Sequence, residues 1–147
     1  MSKRWFIGAG VVGIAVAYSV TATRPLAPER LDIGRIGDAT DGALIFAAAG
    51  CGSCHSHDGT DALAGGKAFV SDFGTFYAPN ISMDVDQGIG GWSDYDIANA
   101  MMAGVSPNGA HYYPAFPYTT YAKMDPPDAL DLIAYLRTLP SDATPSR

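Results

Sequence analysis

Cys51-Gly52-Ser53-Cys54-His55 forms a C-x-x-C-H pattern, the signature that attaches c-type haem. Two thiols can add to the two vinyl groups of a single porphyrin, and the residues between them set the separation that this reaction needs. The histidine that follows is then held under the iron, where histidine is a usual axial ligand. The pattern therefore predicts one covalent haem c, attached through Cys51 and Cys54, with His55 as an iron ligand.

Other interpretations of the paired cysteines have less support. A structural zinc site needs about four nitrogen or sulfur ligands, whereas the chain has no third cysteine and its remaining histidines are His57 and His111. A redox dithiol would be expected within a βαβ pattern, which the sequence does not show. A disulfide across so short a loop would add little stability, because the stabilisation grows with loop length.

The composition describes a small and acidic chain. Its 147 residues suit one small domain with a short additional element. The formal net charge is −6, with 16% charged and 48% hydrophobic residues. This balance argues against nucleic acid as a partner, because nucleic acid selects basic surfaces. It is compatible with a neutral or basic protein partner.

The N-terminal stretch is apolar. Lys3-Arg4 precede residues 5–22, which carry no charge and lie at the short end of the roughly 17–25 residues of a spanning helix. This run is either a secretory signal peptide, with small-residue cleavage sites at residues 15–17 and 20–22, or an uncleaved membrane anchor. We expect residues 1–22 to be an anchor whose positive end stays in the cytoplasm, which places the rest of the chain outside.

Turn-forming and helix-forming residues divide the remainder of the chain. Prolines and glycines in residues 23–39 predict a linker that runs along the surface. Residues 40–140 are expected to form the haem domain, and the polar residues 141–147 a frayed tail. Periodicity and capping signals predict helices over residues 40–50, 93–103 and 126–139, joined by loops rich in glycine and proline.

Capping residues mark the ends of these predicted helices. Side-chain oxygens at a helix start accept backbone N–H bonds, and glycine after the last turn ends the helix without strain. The expected caps are Thr40 or Asp41 for the first helix, Ser93 with Asp96 and a terminal Gly104 for the second, and Asp125 for the third.

The function of the haem depends on the ligand opposite His55. An open position permits ligand binding or chemistry, whereas methionine or histidine there leaves electron transfer. Met124 ends a long proline-containing loop just before the last predicted helix, and such a loop can lay this residue over the iron. We therefore expect Met124 as the sixth ligand, with Met83 and His111 in reserve. The remaining candidates are Met101, Met102 and His57.

The order of helix, CxxCH, loops, methionine and helix over residues 38–140 resembles class I cytochrome c. Gly42 with Phe46 is similar to the pattern of the first helix in that family, and Tyr135-Leu136 to that of the last helix, which crosses it. The resemblance implies an all-α class I cytochrome c fold. About three to five helices and loops would surround the covalent haem, with a hydrophobic helix at the N-terminus.

The resemblance also implies roles for two further residues and a location. The carbonyl of Pro79 would accept the N–H of the proximal histidine and so orient the ring, while Trp92 would donate to a haem propionate. Bacteria attach this haem on the outer face of the cytoplasmic membrane. The chain would therefore lie on the periplasmic side of the inner membrane, or free in the periplasm if the N-terminus is cleaved.

A narrower resemblance involves the haem modules of cytochrome c subunits that serve membrane-bound dehydrogenases, such as alcohol and aldehyde dehydrogenase complexes. In those modules a methionine at the place of Met124 is the axial ligand. This chain has a single CxxCH where such subunits commonly carry several, and Ser82-Met83 where they often have Thr-Pro. The resembling segments are residues 65–67, 73–81, 88–93 and 113–118.

Together these features predict a one-electron carrier that performs no substrate chemistry. It would take electrons from a membrane-bound dehydrogenase or another respiratory, quinol-oxidising complex and pass them to a terminal oxidase or a soluble cytochrome. The alternative is a ligand-binding or catalytic haem with a labile sixth ligand, such as a gas sensor or a peroxidase-like site. A third hypothesis is a permanent structural subunit whose haem relays electrons within one complex.

Overall fold

The computed structural model describes residues 2–56, 62–113 and 115–147, with the side chains of the first helix described from Val12 onward. Helices predominate, and a 3₁₀ turn at Pro28–Arg30 precedes the second of them. The helices are α1 (Ser2–Thr21), α2 (Ala39–Ala49), α3 (Cys51–His55), α4 (Asp94–Ala103), α5 (Tyr118–Tyr121) and α6 (Pro126–Leu136). The strands are β1 (Ala68–Ser71) and β2 (Gly74–Tyr77).

Helix α2 leads directly into the CxxCH helix α3. The predicted caps at Thr40 and Asp41 are wrong, because the side chain of Asp38 accepts the N–H of Thr40 at 2.7 Å and of Asp41 at 3.4 Å. The expected end at Gly50 is confirmed, with a left-handed φ of 71° that glycine adopts without strain. This one residue separates α2 from α3, so the position of α2 sets that of the cysteines.

Helix α2 crosses α6 at a glycine, as the resemblance to class I cytochrome c implied. A Cβ atom at Gly42 would strike the backbone carbonyl of Asp131, so the two helices approach with no room for a side chain there. One turn further along, the rings of Phe46 and Tyr135 pack with centroids 5.2 Å apart. The crossing anchors α6, which contributes Leu132, Ile133 and Leu136 to the hydrophobic core.

The capping predictions for α4 and α6 have different outcomes. Ser93 and Asp96 form a complete capping box, and Gly104 ends α4 with a φ of 66°. Asp125 occupies the N-cap position of α6 but makes no capping hydrogen bond. Helix α6 also ends at Leu136, three residues before the predicted end at residue 139.

The predicted helical fold is confirmed in its main content, but a two-stranded hairpin forms in a region that we expected to be loop. Strands β1 and β2 pair antiparallel, with Ala68 opposite Tyr77 and Ser71 opposite Gly74. β-branched and aromatic residues flank the turn, a composition typical of strands. Both strands are mostly exposed, so neither has the alternation of buried and polar residues by which a strand is recognised.

The segment predicted as a linker packs on the domain through two leucines. Leu26 is 7% exposed and Leu31 is 4% exposed, and both belong to the hydrophobic core. The backbone N–H of Leu26 donates to Asn99 Oδ1 at 2.8 Å, and its carbonyl accepts the hydroxyl of Tyr95 at 2.7 Å. The segment therefore contributes to the core, which loop composition does not indicate.

The first helix approaches the domain at its last residue, where the carbonyl of Thr21 accepts Nε2 of His111 at 3.0 Å. Its described apolar side chains are exposed, among them Ile14, Val16 and Val20. Within the part of the chain that the structure describes, no helix has both the length and the apolar content to cross a membrane.

An ion pair joins the start of the domain to α6. Arg35 binds the carboxylate of Asp131 through two nitrogens at 2.6 and 3.1 Å, and the backbone N–H of Asp38 donates to the same group at 2.7 Å. Asp131 is buried at 5% exposure. The hydrogen bond from Arg35, supported by that from Asp38, lowers the pKa of the Asp131 carboxyl.

This lowered pKa predicts the pH dependence of stability. A carboxyl whose pKa is lower when folded stabilises the fold above the usual carboxyl pKa, and that contribution is lost as pH falls through the lowered value. We expect the urea midpoint to fall more steeply below about pH 4 in the wild type than in Asp131→Asn. Asp128→Asn, an exposed position on the same helix, should keep the steep fall. Identical pH profiles for the wild type and Asp131→Asn would contradict the prediction.

Candidate functional site

The two cysteines lie one turn apart on α3, immediately before a histidine with a defined ring orientation. Cys51 and Cys54 are free thiols, each partly buried, and burial raises the pKa of Cys51 to about 11. Nδ1 of His55 lies 2.8 Å from the carbonyl oxygen of Pro79. Because a carbonyl can only accept, Nδ1 is the donor, and Nε2 keeps its lone pair for a metal. Burial lowers the pKa of His55, while the bond to Pro79 opposes that shift.

A tight crossing of two loops brings Pro79 to His55. The N–H of Gly65 donates to the His55 carbonyl and that of Gly66 to the Ala78 carbonyl, each at 2.8 Å. Gly65 has a φ of 73°, and a Cβ there would strike the carbonyls of Ala78 and Pro79. Glycine is therefore required where the chain passes between α3 and the strand that leads to Pro79. Residues 65–67 were noted in the sequence as a resembling segment, but a local pattern could not predict that Gly65 and Gly66 contact His55 and Ala78.

The predicted sixth ligands differ in what their side chains already contact. Sδ of Met83 accepts a hydrogen bond from Arg137 at 3.7 Å, and Met102 is 2% exposed in the core. His111 is bound through Nε2 to the Thr21 carbonyl. Met101 and Met124 are partly buried at the edge of the core. His57 lies outside the described residues.

Met124 is placed by a short aromatic helix that is attached to the chain just before the CxxCH motif. Its backbone N–H donates to the Tyr121 carbonyl at 2.9 Å, and the Tyr121 hydroxyl donates to the Ala49 carbonyl, also at 2.9 Å. Ala49 is the last residue of α2, two positions before Cys51. Burial raises the pKa of the Tyr121 hydroxyl, which keeps it protonated as a donor. The described contacts do not join Met124 to His55 directly.

An aromatic cluster surrounds this short helix. The ring of Phe116 lies 6.1 Å from Tyr112, 6.5 Å from Tyr118 and 5.8 Å from Tyr121, measured between centroids. Burial also raises the pKa of Tyr112. Gly104 allows the contact with α4, because a Cβ there would lie 2.7 Å from the Tyr118 ring. The Tyr121 hydroxyl bond to Ala49 places this cluster next to the start of the CxxCH helix.

Trp92 lies just before Ser93, the N-cap of α4, and is held through its backbone. Its carbonyl accepts Nη2 of Arg137 at 2.6 Å, and the same nitrogen binds Asp94 at 2.8 Å. Trp92 borders an open depression of about 400 Å³ that is also lined by Ser106, Pro107, Asn108, Ala110, His111 and Tyr112. The indole N–H carries no hydrogen bond to the described residues, so it remains available as a donor. The contacts of Arg137 with Met83 and Trp92 were not predicted from the sequence, because a residue's position near a helix end does not show which distant residues it reaches.

These residues fit a covalently attached haem. Two thiols one helical turn apart precede a histidine that Pro79 orients through Nδ1, and its Nε2 makes no hydrogen bond to the described residues. An imidazole that donates from Nδ1 and presents Nε2 is the form that can bind a metal. No group of three or more His, Cys, Asp or Glu side chains suited to a metal ion occurs in residues 2–56, 62–113 and 115–147. The aromatic rings next to this helix are of the kind that can pack on a porphyrin.

Comparisons with known proteins agree with this chemistry. The sequence model of the family described as cytochrome c matches residues 39–140. A diheme cytochrome c-type protein of Cereibacter sphaeroides is 47% identical over 146 residues, which cover 95% of this chain and 49% of that protein.

Two further relatives have names that refer to dehydrogenases. The gluconate 2-dehydrogenase cytochrome c subunit of Pantoea cypripedii is 39% identical over 64% of this chain and 21% of its own length. The fructose dehydrogenase cytochrome subunit of Gluconobacter japonicus is 33% identical over 87% of this chain and 25% of its own length. The chain spans about half, or less, of the length of these curated relatives.

Proposed function

The chain belongs to the cytochrome c family, and from this premise we propose that it is a membrane-tethered periplasmic one-electron carrier with one covalent haem c between His55 and Met124. Membership of this family makes it an electron-transfer protein and not a catalytic enzyme. One observation carries the proposal: His55 follows the two free thiols, and its Nδ1 is hydrogen-bonded to the Pro79 carbonyl.

The residues of this chain would attach, orient and shield the haem, which supplies an iron that gains and loses one electron. Cys51 and Cys54 hold the group to a short helix that α2 anchors in the core. Pro79 holds the His55 ring in one orientation. Because these contacts depend on backbone packing, we expect little movement when the charge on the iron changes.

The choice of Met124 as sixth ligand is supported because two other candidate methionines already have their side chains engaged elsewhere. The sulfur of Met83 is bound to Arg137, and that of Met102 lies within the core. Met124 combines partial burial with a backbone that Tyr121 ties to the end of α2. Thioether ligation raises the reduction potential relative to a second histidine, which suits a carrier between a quinol or dehydrogenase donor and an oxidase.

A dehydrogenase is the proposed electron donor, because relatives that are 39% and 33% identical to this chain are named as cytochrome subunits of gluconate and fructose dehydrogenases. A terminal oxidase or soluble cytochrome is the proposed acceptor. The net charge of −6 favours a neutral or basic docking surface on either partner.

The membrane tether is supported by the sequence of residues 5–22, which lack charge and follow Lys3-Arg4. The helix Ser2–Thr21 covers most of this run. Fractionation of cells that express the chain tests the proposal: the protein should stay with inner membranes in alkaline carbonate and be accessible to protease from the periplasm. Release of a shortened protein into the periplasm would instead indicate cleavage.

The test of the carrier is whether the two thiols attach haem. We expect the protein from cells that mature c-type cytochromes to carry the mass of one haem per chain, and Cys51→Ser/Cys54→Ser to carry none. Ser53→Ala, between the two cysteines, should keep the haem. The Ser53 hydroxyl that it removes bonds to the Gly50 carbonyl and contacts the Cys54 sulfur, both within the same short segment. A wild-type mass equal to that of the polypeptide would refute the proposal, and binding of carbon monoxide by the ferrous protein would favour the ligand-binding alternative.

A further inference from the structure

The tail, residues 141–147, is not frayed as we expected but is hydrogen-bonded to Asn80 and Ser82, which follow Pro79 in the chain. Asn80 is 3% exposed and Ser82 is fully buried. Nδ2 of Asn80 donates to the carbonyls of Asp142 and Thr144, each at 2.8 Å. The Ser82 hydroxyl donates to the Asp142 carbonyl at 3.1 Å and accepts its N–H at 3.0 Å. The tail therefore satisfies polar groups that would otherwise be buried without partners.

One peptide unit joins the tail to the histidine. The carbonyl of Pro79 and the N–H of Asn80 belong to the same planar amide. Its oxygen accepts Nδ1 of His55 at 2.8 Å, and its N–H donates to the hydroxyl of Ser146 at 2.9 Å. His55, this peptide and Ser146 thus form a chain of hydrogen bonds that leads from the CxxCH helix to the tail.

Other contacts hold the same peptide in place. Oδ1 of Asn80 accepts the N–H of Ser82 at 2.8 Å, so each side-chain polar group of Asn80 is bonded. Arg147 lies over the ring of Tyr77 at 5.6 Å, two residues before Pro79. Rotation of the peptide would break bonds on both of its sides, so its carbonyl stays directed at His55.

We propose that the tail acts as a latch on the Pro79–Asn80 peptide and, through it, sets the hydrogen bond to His55 and the reduction potential of the haem. A donor bond at a peptide N–H polarises the amide and makes its oxygen a stronger acceptor. A stronger acceptor at Nδ1 makes the imidazole a more basic ligand, which favours the ferric state. This inference rests on the proposed function, because His55 must ligate the haem iron.

The test compares single hydroxyl deletions within the tail. We expect Ser146→Ala to raise the ratio of reduced to oxidised protein about twofold at a fixed applied potential, equivalent to roughly 18 mV at 59 mV per tenfold change. Ser146→Thr, which keeps a hydroxyl, should restore the wild-type ratio. Ser141→Ala is the matched control, because the hydroxyl of Ser141 bonds to Asp84 instead of the Pro79–Asn80 peptide.

A spectroscopic measurement separates this role from simple structural support. In NMR of the ferrous protein, we expect the Nδ1–H resonance of His55 to move upfield in Ser146→Ala and the Asn80 N–H to exchange about tenfold faster or more. An unchanged ratio and resonance in Ser146→Ala, or equal shifts in Ser141→Ala, would overturn the latch. Absence of haem from the wild type would instead overturn the proposed function, while the exchange of the Asn80 N–H would still test the latch contact.

Discussion

Replacement of Met124 by alanine should open the sixth coordination position of the haem. We expect the weak far-red absorption band of methionine-bound ferric haem to disappear and the ferrous protein to acquire carbon monoxide binding. The reduction potential should fall by on the order of 0.1 V, part of the roughly 0.8 V range that axial ligands control. Absorption spectra and a redox titration of the purified variant measure all three effects.

Two methionine variants provide controls for that result. Met83→Ala should keep the far-red band, because Arg137 already binds the sulfur of Met83. Met101→Ala should keep it as well, since Met101 lies within helix α4 and packs at the edge of the core. A band that survives in Met124→Ala and disappears in either control would assign the ligand to that other methionine. A wild-type protein that lacks the band and binds carbon monoxide would favour the ligand-binding function.

Gly42→Ala should destabilise the fold strongly, although alanine is the better helix former by about 1 kcal/mol. The new Cβ would strike the Asp131 carbonyl and lie 2.8 Å from Cβ of Tyr135. Neither atom belongs to a flexible side-chain end, so α6 as a whole would have to move. We expect a loss of about 2–3 kcal/mol in the free energy of unfolding, at the upper end for overpacking, measured by urea denaturation.

Gly34→Ala is the matched control for the helix crossing. The closest atom to a Cβ at Gly34 is Oδ1 of Asp32 at 3.6 Å, an ordinary contact. We expect this variant to unfold within about 0.5 kcal/mol of the wild type. Equal stability of Gly42→Ala and Gly34→Ala would show that the two helices can separate without cost, and it would contradict the close crossing.

Local chemistry explains which predictions succeeded. The end of α2 at Gly50 and the capping box of Ser93 with Asp96 involve residues at most three apart, and both were predicted. The hairpin was missed because its strands are exposed and lack a buried face. The cap at Asp38 was missed because Thr40 and Asp41 are equally suitable by residue type, and only packing on α6 decides where the helix begins.

The sequence by itself determined the family and predicts the attachment chemistry, because the CxxCH pattern consists of five consecutive residues and needs no tertiary contact to be recognised. The tertiary structure decided which groups surround those residues. It buried Leu26 and Leu31, bound the sulfur of Met83 to Arg137 and placed Ser146 on the peptide that orients His55. The two hydrogen bonds join residues more than fifty positions apart, and the burial of the leucines depends on the packing of the whole domain. A local sequence pattern encodes neither long-range contacts nor burial.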